Sequence, residues 1–198
     1  AACVAEGDHV ALRHCVRLLG AVNARYTVAG VRPVLRAYEA AWGHKLVQVG
    51  DAWLAPTGPA SAQLLLHSYF ADEKRARDFS STHGIFETFV DMQGILKDDY
   101  FLNPKEDERD PFDSLQMEIL IASPAGIFGV YPLRSIQEYT RYYAFGSGAE
   151  YALGAMHNAY EACPDASSVA QAGLAAAESL DDSTGLPFTL EEITLDQA

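Results

Sequence analysis

The sequence predicts an α+β fold, a four-layer αββα sandwich in which two antiparallel sheets lie between two pairs of helices. Three observations predict it. Segments with strand character stand before, between and after two pairs of helical segments. Hairpin signals join neighbouring strands, which favours antiparallel pairing. A helical layer on each outer face then allows both sheets to bury both of their faces.

The amino-terminal quarter predicts strands joined by small turns. Residues 15–19 and 25–29 contain β-branched and aromatic side chains on either side of the turn residues 20–23, which predicts a hairpin. Residues 45–49 and 52–55 flank Gly-Asp and predict a second hairpin with a tight turn.

Two pairs of helices follow from cap residues and periodicity. Residues 61–77 come after turn and cap residues and end in basic side chains. Residues 85–100 repeat apolar side chains near helical spacing, with acidic side chains between them. The Ala-rich residues 149–161 and 167–180 predict a second pair whose small side chains permit close packing.

Four further strands complete the order. Residues 116–122 and 126–131 predict a hairpin around Ser-Pro-Ala. Residues 137–145 predict one strand that leads into a Gly-Ser-Gly turn, and residues 188–194 predict the last strand. The whole chain, residues 1–198, is therefore expected to form a single domain.

Composition and charge exclude several classes of function. The net charge of -13 and only 14 Lys and Arg residues argue against nucleic acid as a partner. Residues 1–50 nevertheless carry +3, which leaves -16 for the rest of the chain. No apolar run approaches the roughly 20 residues that span a bilayer, and residues 1–12 lack the features of a signal peptide, so a cytoplasmic protein without a membrane partner is expected. The three cysteines and six histidines show no metal-binding spacing, and no metal or cofactor is expected.

Five segments, in this order, resemble the proteasome and bacterial proteasome-like branch of the N-terminal nucleophile hydrolases. They are Lys45-Leu-Val-Gln-Val-Gly-Asp-Ala-Trp-Leu-Ala, Tyr100-Phe-Leu-Asn-Pro-Lys-Glu, Gly126-Ile-Phe-Gly-Val-Tyr131, Ala144-Phe-Gly-Ser-Gly-Ala-Glu-Tyr-Ala-Leu153 and Asp181-Asp-Ser-Thr-Gly185. The resemblance covers about residues 45–193, and the segment near Asn103 is similar to the small bacterial proteasome-homologue family in particular.

The resemblance implies a peptidase whose amino-terminal threonine uses its own α-amino group as the base. The family places this threonine at the start of the first strand, an aspartate at the end of the second and a lysine at the start of the third. Lys45 matches the lysine, Ser147 the serine turn near the nucleophile, and Asp181 with Thr184 the supporting loop. Gly58 matches the glycine whose amide stabilises the oxyanion, although the proline after it has no N–H.

The nucleophile and the aspartate of the family are missing in both registers that the sequence allows. Counting back from the lysine puts Arg13 where the threonine should stand and makes residues 1–12 an amino-terminal extension. The second register takes residues 1–5 and 8–12 as the first two strands and residues 16–40 as an insertion. In neither does a carboxylate follow the second strand, and the one threonine before residue 57 lies in mid-strand.

Three interpretations remain open. The chain is a non-catalytic or degenerate peptidase subunit in a ring with itself or a related subunit, which is the interpretation that the sequence favours. Alternatively, cleavage before Cys15 makes this cysteine the nucleophile of a peptidase or amidohydrolase. In the third interpretation, Ala1 stands where a nucleophile was replaced. Peptides or unfolded proteins are the expected substrates of the class, and an ATP-dependent unfoldase as partner is left open.

Overall fold

The described part of the chain alternates groups of strands with pairs of helices. The computed structural model describes residues 2–5, 15–22, 46–57, 61–100 and 117–196. In chain order its strands are β1 (Ala2–Ala5), β2 (Cys15–Val22), β3 (Val47–Val49), β4 (Ala52–Thr57), β5 (Glu118–Ser123), β6 (Gly126–Tyr131), β7 (Ser135–Tyr139), β8 (Tyr142–Ala144) and β9 (Gly185–Thr194). Its helices are α1 (Ser61–Phe70), α2 (Thr82–Tyr100), the 3-10 helix Pro132–Arg134, α3 (Ala149–Ala159) and α4 (Ala166–Leu180).

The five-stranded sheet has the order β3-β4-β5-β6-β7, and each neighbouring pair is antiparallel. The two predicted hairpins in it are confirmed, since Val47 pairs with Leu54 and Ile121 pairs with Phe128. Gly50 in the first turn has φ +58°, a conformation that glycine adopts without strain.

The four-stranded sheet has the order β8-β1-β2-β9. Ala2 pairs with Leu19 on one side and with Ala144 on the other. The extension register predicted that this segment lies outside the sheets, and that prediction is wrong. The second register is correct in placing the first strand here, but this strand pairs with Cys15–Val22, most of which that register takes as an insertion. Residues 8–12, its second strand, lie outside the described residues.

Strand β2 also corrects the predicted turn at residues 20–23. Gly20 is an ordinary strand position opposite Thr189, and the strand continues to Val22. Pairing with β9, in which Ala21 lies opposite Phe188, keeps the backbone extended there. Residues 25–29, the predicted partner strand, lie outside the described residues.

Helices α1 and α2 share an apolar cluster with the five-stranded sheet. Leu66, Ile85 and Phe89 are fully buried in it beside Leu54 and Ile121. Helix α1 ends at Phe70, seven residues before the predicted end, because the carboxylate of Asp72 accepts the backbone N–H of Lys74 at 3.0 Å and turns the chain. None of the helices in the described ranges is long and apolar enough to cross a membrane.

Helices α3 and α4 share a second apolar cluster with the four-stranded sheet. Ala152, Met156 and Leu174 are buried in it, and the strand residues Phe188 and Leu190 pack against it. The prediction of close packing is confirmed at Gly173, where an added Cβ would lie 2.7 Å from Met156 Cγ. Such contact leaves no room for a larger side chain.

A third cluster contains side chains from both sheets. Leu120, Ala122 and Ile127 come from the five-stranded sheet, and Ile193 comes from β9 of the other. Phe145, which follows β8, is 5% exposed in the same cluster. The two sheets are therefore joined by a continuous apolar contact.

The predicted strand 137–145 is two strands in different sheets. Strand β7 ends at Tyr139 and β8 begins at Tyr142, so the chain changes sheets within two residues. The rings of Tyr139 and Tyr143 stack across this change at 3.9 Å between centroids. Residues 137–145 contain no Gly, Pro, Asn, Asp or Ser, so no turn signal marks the break and the sequence predicts a single strand.

Candidate functional site

Three side chains form a hydrogen-bonded network between the turn before α3 and the loop after α4. Ser147 Oγ donates to Asp181 Oδ2 at 2.7 Å, and Thr184 Oγ1 donates to the same oxygen at 2.5 Å. The backbone N–H of Ser183 donates to Asp181 Oδ1 at 3.3 Å. One carboxylate thus holds together the turn at Ser147 and the loop after α4.

Local backbone structure fixes this carboxylate. Asp181 caps the end of α4, where its N–H donates to Ala177 O at 2.8 Å, and its carbonyl accepts the N–H of Thr184 at 3.1 Å. Gly146 has φ +107° in the turn that presents Ser147, so a residue with a side chain would be strained there. Both loops are therefore set by backbone geometry before any ligand is present.

Gly148 allows the close approach of the two loops. An added Cβ would lie 2.8 Å from Ala177 Cβ, 3.0 Å from Thr184 Oγ1 and 3.2 Å from Asp181 Oδ2. Its φ of -86° is open to any residue, so space alone requires glycine here. The Gly-Ser-Gly segment is thus a packing requirement as well as a turn.

The strand register brings the start of β1 close to this network. Ala2 pairs with Ala144, and Ser147 follows three residues later along the same chain segment. Strand β1 begins at Ala2, whose side chain has no nucleophilic atom, and the residue before it in the sequence is also alanine. A serine hydroxyl whose proton points to Asp181 keeps its lone pairs available for an N–H donor.

Lys45 and Gly58 lie outside the described residues, but their chain neighbours are placed. Leu46 is 5% exposed and belongs to the same apolar cluster as Phe145, which precedes the Gly146 turn. Thr57 is the last residue of β4, the strand that pairs with β3. The roles of both residues stay predictions.

Cys15 is at the other end of the sheet. It pairs with Thr194, whereas Leu19, four residues later, pairs with Ala2 at the Ser147 end. Four residues of strand span about 13 Å. The structure therefore brings Ser147, Asp181 and Thr184 together but does not bring Cys15 to them.

A cleft of about 300 Å³ lies at that other end, between the two sheets. It is lined by the following residues: Gln48, Asp51, Trp53, Pro124, Glu192, Ile193 and Thr194. No group of three or more His, Cys, Asp or Glu residues that could hold a metal ion is present within the ranges that the structure describes.

Sequence reasoning missed a cluster of tyrosines at the edge of the contact between the sheets. The hydroxyls of Tyr131 and Tyr139 are hydrogen-bonded to each other, and Tyr139 also donates to Gln137 Oε1 at 3.2 Å. Burial raises the pKa of Tyr131 to about 12, and burial together with the bond to Tyr131 raises the pKa of Tyr139. Both phenols are therefore neutral near pH 7 and serve as packing and hydrogen-bonding groups. The available signal is the number of tyrosines, four within residues 131–143.

The chain is similar over nearly its whole length to solved structures of bacterial and eukaryotic proteins. The structure titled Thiobacillus denitrificans BPH in complex with Epoxomicin is 33% identical, with 99% of each chain covered and a TM-score of 0.77. A second structure of Thiobacillus denitrificans BPH is 32% identical over 100% of this chain and 99% of that chain, with the same TM-score. Eukaryotic HslV from Trypanosoma brucei is 18% identical over 98% of each chain with a TM-score of 0.62, which supports the fold alone.

These likenesses and the Ser147 network define a proteasome-like N-terminal nucleophile hydrolase fold, as the resemblance in the sequence indicated. No protein-family model matches the chain, and no curated protein matches it. On 33% identity over 99% of both chains, the chain belongs to the bacterial proteasome homologue family, BPH.

Proposed function

We propose that this chain is a non-catalytic subunit of a ring-shaped BPH-type complex, in which the scaffold of the active site remains and the nucleophile is lost. The observation that carries the proposal is the register of β1. Strand β1 begins at Ala2, which pairs with Ala144 three residues before Ser147, and the sequence has alanine at positions 1 and 2, where the family is inferred to have its threonine. A methyl group cannot attack a peptide carbonyl.

The acid partner of the site is missing as well. Strand β2 ends at Val22, and no carboxylate occurs between Asp8 and Glu39. In the family's mechanism an aspartate orients the lysine. We therefore propose that Lys45 lacks both the family's aspartate and its threonine nucleophile. Loss of both groups supports a structural role for the remaining Ser147, Asp181 and Thr184.

The structure gives no support to the alternative in which Cys15 is the nucleophile. A nucleophile near the Ser147 network would have to belong to the start of β1, and Cys15 begins β2 at the far end of the sheet. The third interpretation, with Ala1 in place of a nucleophile, becomes part of the proposal, because the first described strand begins at Ala2, the next residue in the sequence.

Assembly and location complete the proposal. We infer a four-layer arrangement of the two sheets and two helix pairs, and a closed ring of like subunits in the cytoplasm. Heterologous contacts between copies of one chain close into a ring when the rotation between subunits permits. Lys45 and Gly58 are proposed to lie in the relict site beside Ser147.

Covalent labelling tests the loss of the nucleophile. The protein would be incubated with epoxomicin, the compound named with the Thiobacillus relative, and its intact mass measured. The Thiobacillus protein serves as the positive control and the Cys15→Ser variant as the control for thiol labelling. We expect an unchanged mass. Stoichiometric labelling of the native chain would contradict the proposal, and labelling abolished by Cys15→Ser would instead establish the cysteine alternative.

Light scattering tests the ring. We expect a mass several times the 21.5 kDa of one chain at micromolar concentration. A single-chain mass under these conditions would refute assembly and leave the labelling result unaffected.

A further inference from the structure

The start of α3 and the end of α4 form one exposed surface that is both apolar and acidic. Tyr151 is 44% exposed and Leu180 is 60% exposed. The carboxylates of Glu150 and Asp182 are exposed next to them in the sequence. Gly148 packs on the last turns of α4 and thereby brings the two helix ends together. We call these four exposed residues the acidic end.

The charge around the acidic end has a single sign. Arg141 is the last basic residue of the chain, and residues 142–198 contain nine carboxylates with no Lys or Arg. Both helices and β9 therefore contribute negative charge, part of which is paired, as in the bridge of 3.4 Å between Arg141 and Glu161. Exposed large apolar side chains inside such a field are typical of a surface that binds a partner with positive charge.

A second surface has the complementary character. Arg134 ends the 3-10 helix with φ +59°, in the left-handed region that arginine rarely occupies. Its guanidinium lies 5.9 Å from the centre of the Phe86 ring on α2, and Phe86 is 36% exposed. We call Arg134 and Phe86 the arginine patch.

One nitrogen of the Arg134 guanidinium, Nε, lacks a hydrogen-bond partner among the residues that the structure describes. This nitrogen is buried, so a second chain would bind the guanidinium through its two terminal nitrogens. A carboxylate is the acceptor that a guanidinium binds most strongly. Arginine and aromatic side chains are also the residues that contribute most to protein interfaces.

We propose that the arginine patch of one copy docks on the acidic end of a second copy. The inference rests on the proposed ring and names the contact that builds it. The two surfaces are different parts of the same chain, one beside the five-stranded sheet and one on the helices over the other sheet. Their contact is heterologous, and repeated heterologous contacts with a closing rotation give a ring. In such a contact Arg134 gains a carboxylate from Glu150 or Asp182, while Phe86 packs with Tyr151 and Leu180.

Charge exchange between the two surfaces tests the contact. The variants are Arg134→Glu, Glu150→Arg, Asp182→Arg and the two doubles that combine the first with either of the others. Arg141→Glu is the matched control, because it reverses the charge of an exposed arginine outside both surfaces, 61% exposed. Sedimentation velocity over a range of concentrations measures the midpoint of dissociation, and circular dichroism checks the fold.

We expect Arg134→Glu to raise the dissociation midpoint about tenfold or more, and the control to shift it less than about twofold. In one of the double variants the dissociation midpoint should be at least about threefold lower than in Arg134→Glu, since this double restores a pair of opposite charges across the contact. Phe86→Ser is the second variant, and it leaves the strained backbone of Arg134 unchanged. It should also raise the dissociation midpoint.

Two results would overturn the contact while leaving the ring proposal in place. In one, folded Arg134→Glu and Phe86→Ser assemble at the concentrations of the native protein. In the other, both doubles are weaker than their single variants, so that no pair is restored. A native protein that stays a single chain would instead refute the ring, and this contact with it.

Discussion

Replacement of Gly148 by alanine should loosen the Ser147 network and destabilise the whole chain. The added Cβ would lie 2.8 Å from Ala177 Cβ and 3.0 Å from Thr184 Oγ1, and both distances are too short for a methyl group. Either α3 moves away from α4 or the Thr184 side chain turns away from Asp181. The second response breaks a hydrogen bond of 2.5 Å.

The expected cost is the balance of three contributions. Overpacking of a tight contact costs about 1 to 3 kcal/mol. A lost hydrogen bond to a partly exposed carboxylate costs about 1 kcal/mol. Reduced backbone freedom of the unfolded chain offsets about 0.4 to 1 kcal/mol, because φ at this position suits alanine. We expect a net loss of about 2 kcal/mol, which for a chain of this size lowers Tm by about 4 to 8 °C.

Thermal unfolding followed by circular dichroism provides the measurement, and Gly154→Ala provides the matched control. Gly154 lies within α3, whereas Gly148 is the residue before it, and a Cβ added to Gly154 meets nothing within 4 Å. Its replacement should raise stability by up to about 1 kcal/mol, since alanine favours the helix. If Gly148→Ala unfolds at or above the native Tm while Gly154→Ala is stabilised, the steric argument for the network is refuted.

Three further substitutions test the core, a helix cap and the tyrosine cluster. Phe89→Ala removes a fully buried ring and should cost about 3 to 5 kcal/mol in urea unfolding, whereas a loss below about 1 kcal/mol would mean that the cluster under α2 is not formed. Asp165→Ala removes the carboxylate that accepts the N–H of Ser168 at 2.8 Å and should lower the free energy of unfolding by about 1 kcal/mol. Asp165→Asn should retain most of this stability. The pKa of Tyr131 is raised from 10 to about 12, so its neutral form stabilises the fold below pH 10 and this contribution is lost as the pH rises through 12. Tyr131→Phe should therefore reduce the fall of stability between pH 10 and 12, and an equal fall in both proteins would contradict the assignment.

Elements with local signals could be predicted from the sequence, and those set by distant partners could not. The hairpins β3-β4 and β5-β6 follow from alternation around short turns, and the Ala-rich helices follow from their small residues. The change of sheet after Tyr139 has no local signal, because no turn residue stands between β7 and β8. Likewise, Gly20 has the composition of a turn residue, and only its pairing with Thr189 of β9 shows that it lies within a strand.

The candidate site shows the same division. Ser147, Asp181 and Thr184 stand in loops that the family resemblance identifies, and the structure joins them by direct hydrogen bonds. The position of the first strand could not be counted back from Lys45, since the length of the intervening segment differs from the family spacing. Only the pairing of Ala2 with Ala144 shows that the first strand begins near Ser147.

The two sheets also differ in when they can form. The strands of the five-stranded sheet follow one another in sequence order, so each can pair with the strand made just before it. The four-stranded sheet combines the first two strands with the last two, and β2 has its full set of partners only once β9 is present, as in the pair Leu19 and Leu190. Contacts this distant in sequence form slowly, because closing a long loop is entropically costly. During synthesis β1 and β2 therefore wait with open edges until the carboxyl-terminal strand leaves the ribosome, and in that interval the chain is most exposed to aggregation.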